Sequence, residues 1–316
     1  MKIKFFINEF IKGTSWYRSI FNDARRILDA PYNLDIINFG SNPAKFDINY
    51  SEATIRGYNF AVGPQCMKYD YKLLQHYSNH LSPNGKRILL LLLFCPFSFC
   101  KDDYHLESDG EIAYNDRYYS ILPNKEISNF NQDRYNKLFV SPLDLGMRLY
   151  KNLILFYLKN LKKCYSFSQI NLEKSAEEYL SSWKKEFFLD NFEVSKISKQ
   201  VKSSLTFNNI LLNKEIDYCK KNNINLFIIV PPISKYISGK IPNEFCDFCF
   251  WNILKEKSVT IIDYSKSELF TQDYMFRDAL CLNKAGSIKF SNHLIDFVLN
   301  IKKVSHNKQH YVVIKQ

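Results

Sequence analysis

Four short apolar runs punctuate this chain: "LDIINF" (34 to 39), "RILLLLLF" (87 to 94), "NLFIIV" (225 to 230) and "VTIIDY" (259 to 264). Each is rich in Ile, Leu or Val and bounded by Gly, Pro, Asn or Asp, the signature of strands covered on both faces. Between or after them the apolar period lengthens to that of helices. This holds over "MKYDYKLLQHYSNHL" (67 to 81), "FNNILLNKEIDYCKKN" (207 to 222), "EFCDFCFWNILKEK" (244 to 257) and "NKAGSIKFSNHLIDFVLNIKK" (283 to 303). Strand and helix alternate, which predicts an α/β fold: a three-layer sandwich around a mostly parallel, doubly wound sheet.

The rhythm breaks between about 100 and 204. That stretch opens with the polar, aromatic "KDDYHLESDGEIAYNDRYYSILPNKEISNF" and continues as two or three helical patterns. No Gly-, Ser- or Pro-rich linker marks a boundary, so the expectation is a single domain over 1–316 carrying an inserted helical cap. There are no internal repeats.

Composition narrows the class. With 316 residues, 46% of them hydrophobic, the chain can bury a large core without metals or staples. Its cysteines, at 66, 95, 100, 164, 219, 246, 249 and 281, fall mostly inside apolar periodic segments, as reduced thiols do in a reducing compartment. The pair "CDFC", Cys246 and Cys249, has redox spacing. It lacks a second ligand pair or a nearby histidine, and a buried helix face is its expected use. The opening "MKIKFFINEFIKGTSWYRSIF" breaks its apolar residues with Asn, Glu, Lys and Arg, unlike a secretory signal. The run "ILLLLLFCPF" from Ile88 is too short for a bilayer helix of about 20 residues. A soluble, cytoplasmic protein is therefore expected, with peripheral membrane contact through a basic surface as a further option.

That surface follows from 43 Lys and Arg against 32 Asp and Glu, a net charge of +11, with mild clusters at "KNLILFYLKNLKK" (151 to 163) and beyond Lys302. It would favour polyanions or anionic lipid, yet no nucleic-acid motif accompanies it, and nucleic acid is not expected as a partner. The segment 151–163 could lie on a membrane, but burial of its apolar stripe against the sheet is the expected use. The histidines have no partners at ligand spacing, so no metal is expected, and no cofactor either. A nucleotide-sugar-dependent transferase ranks last, because there is no Gly-rich phosphate loop or Asp-x-Asp pair. The sequence carries no signal of oligomeric state.

In a doubly wound sheet, ligands sit beyond the carboxyl ends of the strands. Three loops reach such ends here with unusual chemistry: "NFGSNP" at Gly40, "GYNFAVGPQCMKYDY" around Gly63, and "FRDALCLNKAG" around Asp278. Together they resemble the SGNH/GDSL hydrolase family, and most of all a branch found with bacterial cell-surface polysaccharide genes. "LFIIVPPISKY" is similar to that family's penultimate strand and loop. The resemblance implies handling of O-acyl groups on carbohydrate, by hydrolysis or by transfer to a sugar hydroxyl during capsule or O-antigen synthesis. It also implies the roles of the loops. The first stands where the family carries its Gly-Asp-Ser block, the second matches an Asn-x-Ala-x-x-x-Gln segment ending at Gln65, and the third an Asp-x-x-His-Leu-Asn-x-x-Gly block ending at Gly286.

Two positions depart from that pattern. Asn42 stands at the nucleophile, with Ser41 one place earlier, and Cys281 stands at the general base, although Asp278 remains. Serine attack needs an imidazole within hydrogen-bond reach, and neither an amide nor a thiol supplies one. The candidate catalytic residues are thus Ser41, Asp278 and Cys281. Gly40, Asn42, Gly63 and Gln65 would form the oxyanion site and pocket, and Lys45 and Asn283 would bind substrate. Lys45, beside the turn, would welcome a carboxylate or sugar phosphate. A histidine could arrive from elsewhere; among His76, His80, His105 and His293, His105 in the polar loop is the best placed. Structural roles compete at each position: Ser41, Asn42 and Asp278 as helix caps, and Cys281 as a small hydrophobe. Two readings follow. The preferred one is a site that keeps its shape without the triad and binds an acylated glycan or a partner; the other is an esterase or acyltransferase working through altered residues.

Overall fold

A computed structural model of the chain describes residues 2–18, 23–102, 114–146, 151, 154–155, 157–158, 171–189, 191–301 and 310–314. It divides into two compact units, Met1–Ala30 with Leu106–Gln169, and Pro31–His105 with Ile170–Gln316.

In the first unit, helix α1 (Lys2–Gly13) is tied down by Asn8. The Asn8 side chain donates to Ser141 Oγ at 3.1 Å and accepts from the Leu143 N–H at 2.9 Å. The Tyr17 hydroxyl donates to the Leu138 carbonyl at 3.0 Å, and Arg134 grips the buried Asp116 carboxylate at 2.7 Å. Ile3, Phe5, Phe6 and Phe10 of α1 are exposed, as are Ile154, Leu155, Tyr157 and Leu158. The sequence expectation of a buried apolar stripe over 151–163 fails at these positions. All six strands belong to the other unit, so this unit holds no sheet among its described residues to receive the stripe.

The second unit is α/β, with an all-parallel sheet in the order β2-β1-β3-β4-β5-β6. The strands are β1 (Ile36–Gly40), β2 (Gly57–Asn59), β3 (Ile88–Leu92), β4 (Asn225–Val230), β5 (Thr260–Asp263) and β6 (His310–Val313). β1 and β3 are buried at every position, as apolar runs without alternation must be when both faces are covered. The register sets Ile36 beside Ile88 and Gly40 beside Leu92, and Leu92 beside Ile229 of β4. Strand order reverses at β1, which makes its carboxyl end a topological switch point.

The helices of this unit include α2 (Asn42–Asp47), α3 (Met67–Tyr77), α4 (Leu172–Glu186), α5 (Lys199–Lys221), α6 (Asn243–Cys246) and α7 (Lys284–Asn300). Ala44 of α2 and Phe290, Leu294, Ile295 and Val298 of α7 join Ile36, Ile88, Leu90 and Ile262 in one apolar cluster. α3 and α5 pack on each other and against β1 and β4. The segment expected as one cap is shared between the units: 106–169 falls in the first, while α4 and the start of α5 belong with the sheet.

Candidate functional site

The turn after β1 is built by close approach. Gly40 has φ +130°, and a Cβ there would lie 2.6 Å from the Leu92 carbonyl oxygen and 2.8 Å from Ala44 Cβ, so only glycine lets β1, β3 and α2 meet this tightly. α2 then begins at once, with Pro43 in its first turn, where a missing N–H costs nothing. Ser41 occupies the cap position, yet its hydroxyl does not cap. It accepts the backbone N–H of Gln65 at 3.1 Å instead, stitching the β1 turn to the loop after β2. The Asn42 amide oxygen sits so close over Gly63 that any side chain at 63 would collide with it. Gly40, Ser41, Asn42, Gly63 and Gln65 are therefore brought together, as the sequence led us to expect.

Three of them, Ser41, Asn42 and Gln65, open onto a cavity of about 100 Å³ at the carboxyl ends of β1 and β3. Ser41, Asn42, Gln65 and Leu280 line it, facing Phe94, Phe97 and Trp183. The aromatic wall is tightly stacked: Phe97 has ring centroids 4.5 Å from Trp183 and 5.2 Å from Phe187, and Trp183 lies 5.4 Å from Tyr179. Lys101 and Glu186 also line the cavity and pair with each other at 2.7 Å. Lys45 does not line it; its ammonium lies 5.0 Å from the Phe46 ring, which the Arg277 guanidinium approaches to 4.0 Å. The cation facing the cavity is Lys101, delivered by the loop after β3, a position for which the sequence offered no spacing signal.

The third loop lies close by but is turned to structural work. Asp278 Oδ1 accepts the N–H groups of Leu280 at 3.0 Å and Cys281 at 2.9 Å, and Oδ2 lies 3.4 Å from Arg277 Nε. Tyr179, a cavity residue, has its phenol pKa pushed up by burial first and by the nearby Asp278 carboxylate next. Cys281 is buried beside Asp47 and Asp278. Burial, then these two carboxyls, hold its thiol well above the ordinary range, so it remains protonated. Asn283 caps α7 by accepting the Gly286 N–H at 2.9 Å, and its amide donates to the Tyr274 carbonyl. Its expected contact with substrate gives way to this cap.

Two buried acids that the sequence did not single out complete the surroundings. Asp47, at the end of α2, accepts the Leu282 N–H at 2.7 Å and has its pKa raised well above the usual carboxyl value, by burial above all. Asp70 of α3 lines the cavity and accepts from the Gln65 amide and the Gly40 backbone N–H; burial lifts its pKa to about 7. The Gly40 amide is thus directed at Asp70. Neither acid was legible, because each sits in a helical pattern where a lone Asp reads as a solvent-facing residue.

None of the described residues lining the cavity is a histidine. His80 Nδ1 lies 2.9 Å from the Pro31 carbonyl and its ring stacks on Tyr32, beside the start of β1. His293 packs on Tyr264 and Phe270, and burial lowers its pKa. His76 is exposed on α3, and His105 lies outside the described residues. No group of three or more His, Cys, Asp or Glu among the described residues is arranged to hold a metal ion. Chemically, the site offers a small aromatic-walled chamber, a hydroxyl already engaged by an N–H, and a carboxylate committed to its own turn. Neither a protein-family model nor any curated protein matches the chain.

Proposed function

We propose that this chain is an SGNH-hydrolase-like protein of bacterial surface-polysaccharide synthesis or modification, which binds an O-acylated carbohydrate without serine-hydrolase chemistry. Its acyl group would enter the cavity at the ends of β1 and β3. The strand order β2-β1-β3-β4-β5 supports the family reading, as does the arrival of the Ser41, Gly63 and Asp278 loops around one end of the sheet. The observation that carries the non-catalytic part is the fate of the two groups a triad would use. Ser41 Oγ accepts the Gln65 N–H, and Asp278 Oδ1 accepts two N–H groups of its own loop. Among the described residues, neither faces an imidazole that could relay a proton between them.

The ligand class follows from size and lining. About 100 Å³ accommodates an acetyl-sized group but not a hexose ring, and Phe94, Phe97 and Trp183 supply apolar contact for its methyl. The sugar would stay at the mouth, near the Lys101–Glu186 pair. A peripheral stance at an anionic membrane belongs to the same reading, supported by the net charge of +11 and the exposed apolar residues of α1.

The test pairs binding with turnover. In saturation-transfer NMR with O-acetylated and de-acetylated oligosaccharides, the acetyl methyl should give the strongest transfer, and the de-acetylated sugars should give none. Trp183→Phe should weaken binding about tenfold, on the order of 1.4 kcal/mol. Parent protein should not hydrolyse p-nitrophenyl acetate or the acetylated sugar. Turnover abolished by Ser41→Ala or Asp278→Ala would overturn the non-catalytic reading, and indifference to the acetyl group would overturn the ligand class.

A further inference from the structure

Four cysteines that lie far apart in sequence meet in the second unit. Cys95 and Cys100 belong to "CPFSFC", the loop leaving β3. Cys246 ends α6, and Cys249 lies in the π-helical turn Asp247–Trp251 that follows. The Cys95 thiol lies against that of Cys246 and the Cys100 thiol against that of Cys249, while the Cys100 S–H donates to the Pro96 carbonyl at 3.7 Å. The "CDFC" segment thus packs against a loop whose own cysteines are five positions apart, a separation that signalled nothing in the sequence.

The two pairs differ in access. Cys100 and Cys249 are buried, whereas Cys246 is half-buried, and together with Cys95 it lines a cavity of about 540 Å³. The titratable groups facing that cavity are Asp247, Lys255, Asp263, Lys266 and Tyr311. Asp263 is occupied, accepting from Ser265 at 2.7 Å and from the Tyr311 hydroxyl at 2.9 Å. The neighbouring Cys95 thiol lowers the Cys246 pKa, and Lys266 acts in the same direction; burial and Asp247 oppose it. Burial pushes the Cys95 thiol up, and the neighbouring Cys246 adds to the rise. Cys246, the half-buried member of the pair on an open cavity, is placed to attack, and the buried Cys95 beside it is placed to resolve.

We infer that Cys246 and Cys95 form a reversible redox pair, oxidised by a small hydroperoxide entering the cavity that they line. In the first step the Cys246 thiolate attacks one oxygen of the peroxide. The O–O bond breaks, the other oxygen takes a proton and leaves as water or alcohol, and Cys246 becomes a sulfenic acid. Cys95 then gives up its proton and attacks that sulfur. The S–S bond forms as the S–O bond breaks, and hydroxide departs as water. Two thiols have lost two electrons and the peroxide has gained them. A low-molecular-weight dithiol restores the starting state by exchange.

The experiment uses the full chain. It is exposed to hydrogen peroxide at a few equivalents, alkylated without denaturation, then unfolded, alkylated with a second mass-distinct reagent and mapped by peptide mass spectrometry. The expected result is a cross-linked peptide joining Cys95 to Cys246, lost on treatment with dithiothreitol. Cys95→Ser should leave a sulfenic acid on Cys246 that dimedone captures, and Cys246→Ser should leave no dimedone adduct at Cys95. The parent map alone decides the matter if either variant misfolds. Every thiol remaining reduced would overturn the proposal, as would Cys100 and Cys249 linking first. Stoichiometric zinc in the purified protein, released only when a mercurial modifies these thiols, would overturn it too, by making the four cysteines metal ligands.

Discussion

Asp70 holds its proton at a pH where an ordinary aspartate has lost it. Its folded pKa is about 7, because burial outweighs the hydrogen bonds from Gln65 and Gly40. Glu215 of α5 is raised well above its usual value by burial and then by Asp70. In the unfolded chain an aspartate titrates near 3.9. Between that value and about 7 the folded state retains a proton that the unfolded state releases, so stability falls as pH rises through this window. The contribution is complete below about pH 4 and gone above about pH 7; three pKa units correspond to about 4 kcal/mol. Asp70→Asn cannot ionise, and its urea midpoint measured from pH 4 to 8 should decline less than the parent's, with Glu215 supplying the remaining slope. An identical decline in both proteins would mean that Asp70 is not the group taking up the proton.

At the scale of elements, β2 shows how a short strand is specified by one side chain. The Asn59 amide donates to the carbonyls of Ala44, at 2.9 Å, and Ile48, at 2.9 Å, catching the unsatisfied end of α2. Its oxygen accepts from Asn38 of β1, at 2.9 Å, and from the Ala61 N–H, at 3.0 Å. Asn59→Ala leaves several partly buried groups without partners at once, and should cost about 3 kcal/mol in denaturant unfolding. A loss below about 0.5 kcal/mol would mean that water replaces the network.

This network also explains what the sequence could convey. β1, β3, β4 and β5 announced themselves because strands buried on both faces must be continuously apolar, and the helices of 67–77 and 284–300 because their burial is one-sided. β2, three residues held by side-chain hydrogen bonds, and β6, "HYVV" in a basic tail, satisfy neither pattern. The turn residues Gly40, Ser41, Asn42, Gly63 and Gln65 were legible, since backbone close approach restricts the residue type. Tyr179, Trp183 and Lys101 were not, because they reach the cavity only through the packing of α4 and the path of the loop after β3. Of the third loop, Asp278 is engaged by the N–H groups of its own turn and Asn283 caps α7, roles that a spacing pattern does not distinguish from contact with a ligand.

For the molecule as a whole, charge and exposed apolar area point the same way. No helix among the described residues is long and apolar enough to cross a membrane. In the first unit, though, α1 leaves Phe5, Phe6 and Phe10 open to solvent, with Lys2, Lys4 and Lys12 interspersed. On the proposed reading such a helix would lie on an anionic surface, combining apolar insertion with attraction to headgroups. Co-sedimentation with phosphatidylserine vesicles should therefore be strong at low salt, fall at 0.5 M salt, and drop with Phe5→Ser/Phe6→Ser. Equal binding to uncharged phosphatidylcholine vesicles would remove the electrostatic part.

The stretch from Phe94 to Lys101 carries a consequence of its own. Phe94, Phe97, Ser98 and Lys101 face the chamber beside Ser41, while Cys95 faces the other one. It is a party wall only a few residues long, and a sulfur bridge on one side would fix the room left for a tenant on the other. On the two proposals above, oxidation at one chamber would change what its neighbour can hold.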